Sequence, residues 1–354
     1  MFPYFLILFF SVIISNLVKK FDRTIFIRVL GLVALFMVLV SFAGLRDYSV
    51  GGDTGNYRDI FVYKLNAEIS IYNIFSGVEP GFGLFQTISQ NITKDFTLFL
   101  FFIAAFVVGL SMWTMKKLSM SFPISVFVFI TLGYYLFFFN GARQAMSAAI
   151  YGLALIPLLS GKKYQYMILV FVAFLFHKSA LAMLPLVIPF TMRTSQKQFI
   201  VTAIFTVLLT SALSILLTIS PDLVSDKLAN YHDRTAGGGE LLMVAYILMT
   251  LYFYSTRKYI PQNSIKEYSL YLNLCLFSTF TYIFVNLGGR DVNLIRITLF
   301  SSYGFILIWP LILKNVNYYK SVVPWLIFVI SHLIFFYIYI GKMITPYFIN
   351  PELF

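Results

Sequence analysis

Three observations predict an all-α, polytopic membrane protein of about 11–12 transmembrane helices. Of the 354 residues, 60% are hydrophobic and only 11% are charged, against about 25% charged in a soluble domain. Apolar runs close to the ~20 residues that span a bilayer recur along the whole chain. The lysines and arginines gather in alternate connections between those runs, the pattern that cytoplasmic loops produce. No polar linker or low-complexity stretch interrupts the series, so residues 1–354 read as a single transmembrane domain.

The first run, residues 2–18, has no basic leader and no small-residue cleavage site, and Lys19 and Lys20 follow it. That order predicts a retained helix with its N-terminus outside rather than a signal peptide. Further spans are expected at 25–45, 96–115, 122–139, 143–160, 199–219, 240–255, 268–287, 296–313 and 322–340. Residues 164–190 are apolar but broken at His177-Lys178 and closed by Pro185 and Pro189. This stretch is too long for one span and short for two, and predicts a tight pair of half-buried helices. Twelve spans result with the pair and eleven without it.

With twelve spans, 15 of the 26 basic residues, from Lys19 to Lys320, fall on the cytoplasmic side beside only two acids, Asp22 and Glu267. The outer side holds a near balance of acids and bases. The formal charge of +12 therefore reports orientation in a bilayer, and no nucleic-acid partner is expected. Cys275 is the single cysteine, so no intrachain disulfide forms and the redox compartment stays open.

Two external segments are long. Residues 46–95, after the second span, place Tyr57, Phe61 and Leu65, and then Phe82, Phe85 and Ile88, at helical spacing, as helices lying in the interface do. Residues 220–239 carry Pro221, several charges and Gly237-Gly238-Gly239, and read as a mobile flap. No internal repeat is visible, which weakens the case for a transporter built from inverted halves.

Candidate chemistry lies on the outer side. Arg46 ends the second span, Arg143 in Asn140-Gly141-Ala142-Arg143-Gln144 opens another, and Arg290 and Arg296 flank the start of the run at 296–313. A charge at mid-membrane costs about 2.5–3.5 kcal/mol on the insertion scale and less near the interface. Four arginines there suggest a doubly charged anion such as a pyrophosphate, which the planar guanidinium fork suits. The plainer alternative is that each pairs with a neighbouring carboxylate or snorkels to headgroups.

His177 sits at the expected helix-to-helix break, and its imidazole suits proton transfer from a hydroxyl; a hydrogen-bonded structural histidine is the alternative. The segment from Arg46 to Tyr57 holds Gly51-Gly52, which permit a turn, and Asp53 or Thr54, either of which suits a helix cap. Capping alone accounts for Asp53; the functional alternative is that it orients Arg46 or removes a proton. Glu79 in Glu79-Pro80-Gly81-Phe82 is open in the same way, between a helix start and an acid facing the site. There is no phosphate-binding glycine loop, dinucleotide fingerprint or metal-spaced His/Cys cluster. Asp47, Asp53 and Asp59 share the first external loop, which leaves an acid-held divalent cation open; no cofactor is expected.

The segment Arg46 to Tyr57 resembles the Arg…Val-Gly-x-Asp-Thr…Tyr signature of the EpsG branch of Wzy-type polysaccharide polymerases. Glu79-Pro80-Gly81-Phe82, Ala142-Arg143-Gln144-Ala145, Phe176-His177-Lys178-Ser179-Ala180-Leu181 and Arg296 to Tyr303 follow in the order of that family. The resemblance runs from about residue 40 to 310; the flap and everything after about 315 add nothing to it. It implies a polymerase of O-antigen, capsule or exopolysaccharide repeats in the bacterial cytoplasmic membrane, with its active site facing outward. The substrate and partner implied is an undecaprenyl-pyrophosphate-linked oligosaccharide, with a chain-length regulator as a further candidate partner. Arg143, Arg290 and Arg296 would hold the donor pyrophosphate, with Gln144 and Glu79 lining the site. His177 or Asp53 would deprotonate the acceptor hydroxyl, and Arg46 would position Asp53 or a phosphate. Direct displacement without a metal would invert the anomeric carbon. The competing functions are another lipid-linked glycan transferase such as an O-antigen ligase, a membrane acyltransferase, and a lipid-sugar flippase.

Overall fold

The computed structural model describes residues 1–63, 79–219, 239–288, 292–315, 322–343 and 346–351. The flap expected at 220–239 therefore lies outside the described residues apart from Gly239, as does Arg290.

Sixteen α-helices make up the described chain: α1 (Phe2–Lys20), α2 (Ile25–Gly44), α3 (Thr54–Tyr63), α4 (Pro80–Ile92), α5 (Phe96–Leu118), α6 (Phe122–Thr131), α7 (Tyr134–Phe137) and α8 (Ala142–Leu159), then α9 (Lys163–Phe176), α10 (Val187–Phe190), α11 (Gln196–Ile219), α12 (Gly239–Ser255), α13 (Ile265–Leu287), α14 (Thr298–Ser301), α15 (Tyr303–Asn315) and α16 (Val322–Met343). Among the described residues, eight helices are long and apolar enough to cross a membrane, and nine if the bent pair Leu294–Ser301 and Tyr303–Asn315 forms one span. Two shorter apolar helices, α6 and α9, accompany them. The chain is an all-α, multi-pass membrane protein.

Three expected spans are broken. Residues 122–139 divide at Gly133, whose φ of 80° ends α6 and opens α7. The run at 296–313 bends by 41° after a 3-10 turn over Val292–Ile297. Residues 164–190 form α9, a 3-10 helix at Lys178–Met183 and the one-turn α10, so the expected pair of helices is one helix and a tight irregular return. The break falls at His177, where the sequence locates it.

α8 and α13 are the central helices, with 78% and 72% of their apolar windows buried, against 17% for α2. In hydrocarbon, helices associate through close packing and interhelical hydrogen bonds. α8 buries Ala145, Ala148, Ala149 and Ala154 and packs chiefly on α5 and α9, Gly152 makes room for the Tyr303 ring of α15, and Ser147 Oγ donates to the Ala173 carbonyl of α9 at 2.7 Å. On α13, Asn273 Nδ2 donates to the Pro189 and Met192 carbonyls at 2.8 and 3.0 Å, tying the end of the short α10 to the central helix.

Contacts between connections divide the bundle into two ends. At one, Lys116 meets Asp22 at 2.9 Å, Arg193 donates to Gln262 at 2.9 Å, and Thr194 meets Ser269 at 3.0 Å. At the other, Asp47 N donates to the Phe348 carbonyl and Asn350 N to the Leu45 carbonyl, both at 2.9 Å, and Gly52 N donates to Asn140 Oδ1 at 2.6 Å. Loops that the charge pattern assigns to one side meet at one end. The candidate residues gather at the second.

Candidate active site

The site is assembled from three places where helices begin or break. The first is the turn before α3. Asp47 Oδ1 accepts from Ser49 N at 2.8 Å, and Gly51 takes a φ of 96°. A side chain at Gly51 would place its Cβ 2.3 Å from the Phe139 carbonyl oxygen, so both the conformation and the close approach require glycine. Thr54 Oγ1 then donates to the Val50 and Phe139 carbonyls at 2.8 and 3.0 Å, locking the start of α3 onto the turn before α8. Asp53 immediately precedes α3, and Tyr57 lies one turn into it.

The second is the start of α4. Pro80 occupies the first turn, where its missing N–H costs nothing. Glu79 precedes it in an extended conformation, and its carboxylate makes no capping bond to its own helix. Gly81 lets α4 touch α9: a Cβ there would lie 2.8 Å from the Leu175 carbonyl oxygen. The carboxylate of Glu79, 4% exposed, is thereby delivered to the end of α9.

The third is the break after α9. His177 N still donates to the Ala173 carbonyl at 3.0 Å, while φ −159° and ψ 125° turn the chain out of the helix. The imidazole points at Glu79, and Nδ1 hydrogen-bonds Glu79 Oε1. With Nδ1 so engaged, Nε2 is the nitrogen left for other work. The second oxygen, Glu79 Oε2, faces Arg143 Nη1 at 2.9 Å, an ion pair whose arginine is 38% exposed. Glu79 thus answers both alternatives left by the sequence: its backbone opens a helix and its side chain faces the cluster.

Arg143 opens α8. It also bonds the hydroxyl of Tyr57, through both its side chain and its backbone N–H, and Asp53 lies within electrostatic reach of both residues. Burial alone raises the Glu79 carboxyl. The hydrogen bond from His177, the charges of His177 and Arg143, and the backbone N–H of Lys178 outweigh it and hold the carboxyl below its ordinary value. Burial raises the Tyr57 phenol.

The structure therefore brings Asp53, Glu79, Arg143 and His177 together from segments far apart in sequence. Gln144, 5% exposed, donates through Nε2 to the Arg296 carbonyl at 2.7 Å, which fixes the backbone of the exposed Arg296 beside the start of α8. Arg46 does not join the cluster. It is 2% exposed, bonds the Ala43 carbonyl, and lies 4.3 and 5.8 Å from the ring centres of Phe139 and Phe138. Tyr347, stacked on Phe42 at 4.3 Å, helps to close this aromatic box. Burial draws the Arg46 guanidinium down to about 10, with Tyr135, Tyr347 and Tyr4 opposing, so it stays charged at neutral pH.

Tyr57 closes the signature read in the sequence but was given no role there, being placed on an apolar stripe with Phe61 and Leu65. Its hydroxyl, one turn from Asp53, was the available signal. Among the described residues, no group of three or more His, Cys, Asp or Glu is arranged to hold a metal ion, and Asp47, Asp53 and Asp59 form no such group. What the geometry offers is a carboxylate-oriented imidazole next to a partly exposed guanidinium. That pairing suits removal of a proton beside an anionic group.

No curated relative and no solved structure matches the chain. The family model described as the EpsG family matches residues 29–349, which include every segment of the site just described, and the chain belongs to that family.

Proposed function

We propose that the protein is a polysaccharide polymerase of the bacterial cytoplasmic membrane, acting at its outer face on undecaprenyl-pyrophosphate-linked glycans. Membership of the EpsG family suggests a polymerase-type role, and the whole chain serves as one transmembrane domain. The observation that carries the reading is the bridge made by Glu79 between His177 and Arg143.

In this reading His177 Nε2 takes the proton from the acceptor sugar hydroxyl as that oxygen attacks the anomeric carbon of the donor. Glu79, on Nδ1, fixes the tautomer and stabilises the imidazolium that forms, a role known for carboxylates behind catalytic histidines. The bond between the anomeric carbon and the diphosphate oxygen breaks, and the lipid diphosphate departs with its electron pair. Arg143 and Arg296 stabilise that negative charge, the electrostatic contribution that usually dominates such steps. Displacement at one centre inverts the anomeric configuration, and the arginines supply the charge that a metal otherwise would. Asp53 keeps Arg143 and Tyr57 in register.

The test is incubation of purified protein with a synthetic polyprenyl-diphosphate oligosaccharide, with and without chelator. A ladder of longer lipid-linked products is expected in both, and none from His177→Ala. Absence of products from the wild-type protein, or an undiminished ladder from His177→Ala, defeats the proposal.

A further inference from the structure

A groove runs between α4 and α5, next to the site. Its cavity of about 280 Å³ is lined by Phe85, Ile88 and Ile92 of α4 and by Phe102, Ala105 and Phe106 of α5. Ser89 contributes the one polar side chain, and its hydroxyl is already committed to the Phe85 carbonyl at 2.8 Å. The lining thus offers no free hydrogen-bond donor, and an occupant rich in polar groups would lose most of its hydrogen bonds on entry.

Both walls of the groove lead back to the catalytic cluster. Phe85 packs edge-on against Phe106 at 5.6 Å, and Phe106 stacks on Phe176 at 5.4 Å, the residue before His177. The other wall, α4, starts at Glu79. Ile88 and Ile92, 53% and 69% exposed, leave the groove open to the outside of the bundle.

We propose that this groove holds the polyprenyl chain of the lipid-linked substrate whose diphosphate lies at Arg143. The inference rests on the function proposed above. An apolar chain tethered to a head group bound at the cluster meets the groove at a high effective concentration, an advantage that a free phospholipid tail lacks. The flat rings of Phe85, Phe102 and Phe106 suit the planar double bonds of isoprene units.

Two measurements on the full chain test it. In the first, the wild-type protein in phosphatidylethanolamine–phosphatidylglycerol vesicles is photolabelled with a diazirine-bearing polyprenyl diphosphate. Label is expected in peptides covering residues 85–106, competed by unlabelled polyprenyl diphosphate and not by added phospholipid. Label elsewhere, or equal competition by phospholipid, overturns the proposal. In the second, Ala105→Phe fills the groove. It is expected to lower kcat/KM roughly tenfold for a polyprenyl donor and to leave a donor whose diphosphate carries a methyl group in place of the polyprenyl chain unaffected. Equal loss on both donors, or loss on neither, overturns it. If the wild type elongates neither donor, the polymerase reading fails instead, and the labelling still decides whether the groove binds the chain.

Discussion

Glu79 and His177, 98 residues apart in sequence, share a hydrogen bond at the point where α4 begins and α9 ends. The bond depends on two helices meeting end to end, and Gly81 makes that meeting possible. A carboxylate held this way has one oxygen left for Arg143.

His177→Ala is expected to reduce polymerisation by about 10²–10⁴, the usual contribution of a general base. Glu79→Gln should cost less, roughly tenfold to a hundredfold, because the imidazole survives without its orienting charge. Both are read as initial rates with a synthetic donor, on protein matched for yield and detergent-solution profile. Equal rates in wild type and His177→Ala remove the base assignment.

The depressed Glu79 carboxyl links the site to stability. Its folded-state value lies below its unfolded value of about 4.3. The stabilisation is therefore complete above that value and lost as pH falls through the folded one. Breaking a buried ion pair costs about 3–5 kcal/mol; with Arg143 38% exposed, about 1–3 kcal/mol is expected for Glu79→Gln near neutral pH. The gap in Tm between the two proteins should be constant above about pH 5 and narrow progressively as pH falls below about 4.3. A gap that closes already above about pH 5, or that persists undiminished in the most acidic buffer in which the protein stays folded, contradicts the linkage.

Arg143→Lys is expected to behave as a loss. A lysine ammonium cannot reproduce a planar fork that reaches Glu79 and Tyr57 while leaving edges for phosphate oxygens. The donor KM should rise about tenfold, equivalent to ~1.4 kcal/mol, and more than the acceptor KM. Kinetics with each substrate varied in turn would show it; a change confined to the acceptor points to another role.

Arg46→Met separates the aromatic box from the site. A desolvated guanidinium over aromatic faces contributes about 2 kcal/mol or more, so thermal stability should fall by an amount of that order. The folded fraction should bind donor with unchanged affinity. A selective rise in donor KM would return Arg46 to the substrate.

Gly51→Ala combines a left-handed backbone with a methyl carbon 2.3 Å from a carbonyl oxygen. Strain of about 1–3 kcal/mol is expected, together with loss of activity as the start of α3 moves away from α8. Activity and Tm measured on the same preparation would register both; an unperturbed enzyme would show that the turn plays no part.

Much of this was legible in the sequence because helix ends announce themselves. Gly51-Gly52, Glu79-Pro80 and Phe176-His177 were each readable as a turn, a start and a break, and the structure puts polar groups from all three into one cluster. Apolar length and basic residues between runs located the helices, since both follow from the cost of polar groups in hydrocarbon. Direction was not legible. Arg46 follows the end of one helix and Arg143 opens another, and one turns inward among rings while the other faces a carboxylate. Nothing in their local sequence encodes which neighbours the fold supplies. The breaks at Gly133 and before Tyr303 were hidden for a related reason: hydropathy records composition and is blind to a bend. Beyond the last expected span, 322–340, nothing in the sequence signalled contact with the site, although Phe348 and Asn350 hold the loop that begins at Arg46.

That last contact has a bearing on biosynthesis. Tyr347 donates to the Phe42 carbonyl across 305 residues, and Arg46 pairs with Ile349 as an isolated bridge. The ribosome makes the loop after α2 early and the strap that secures it late. A nascent chain already threaded through most of its spans would still lack this fastening, so maturation of the turn before α3 must wait until translation has passed α16.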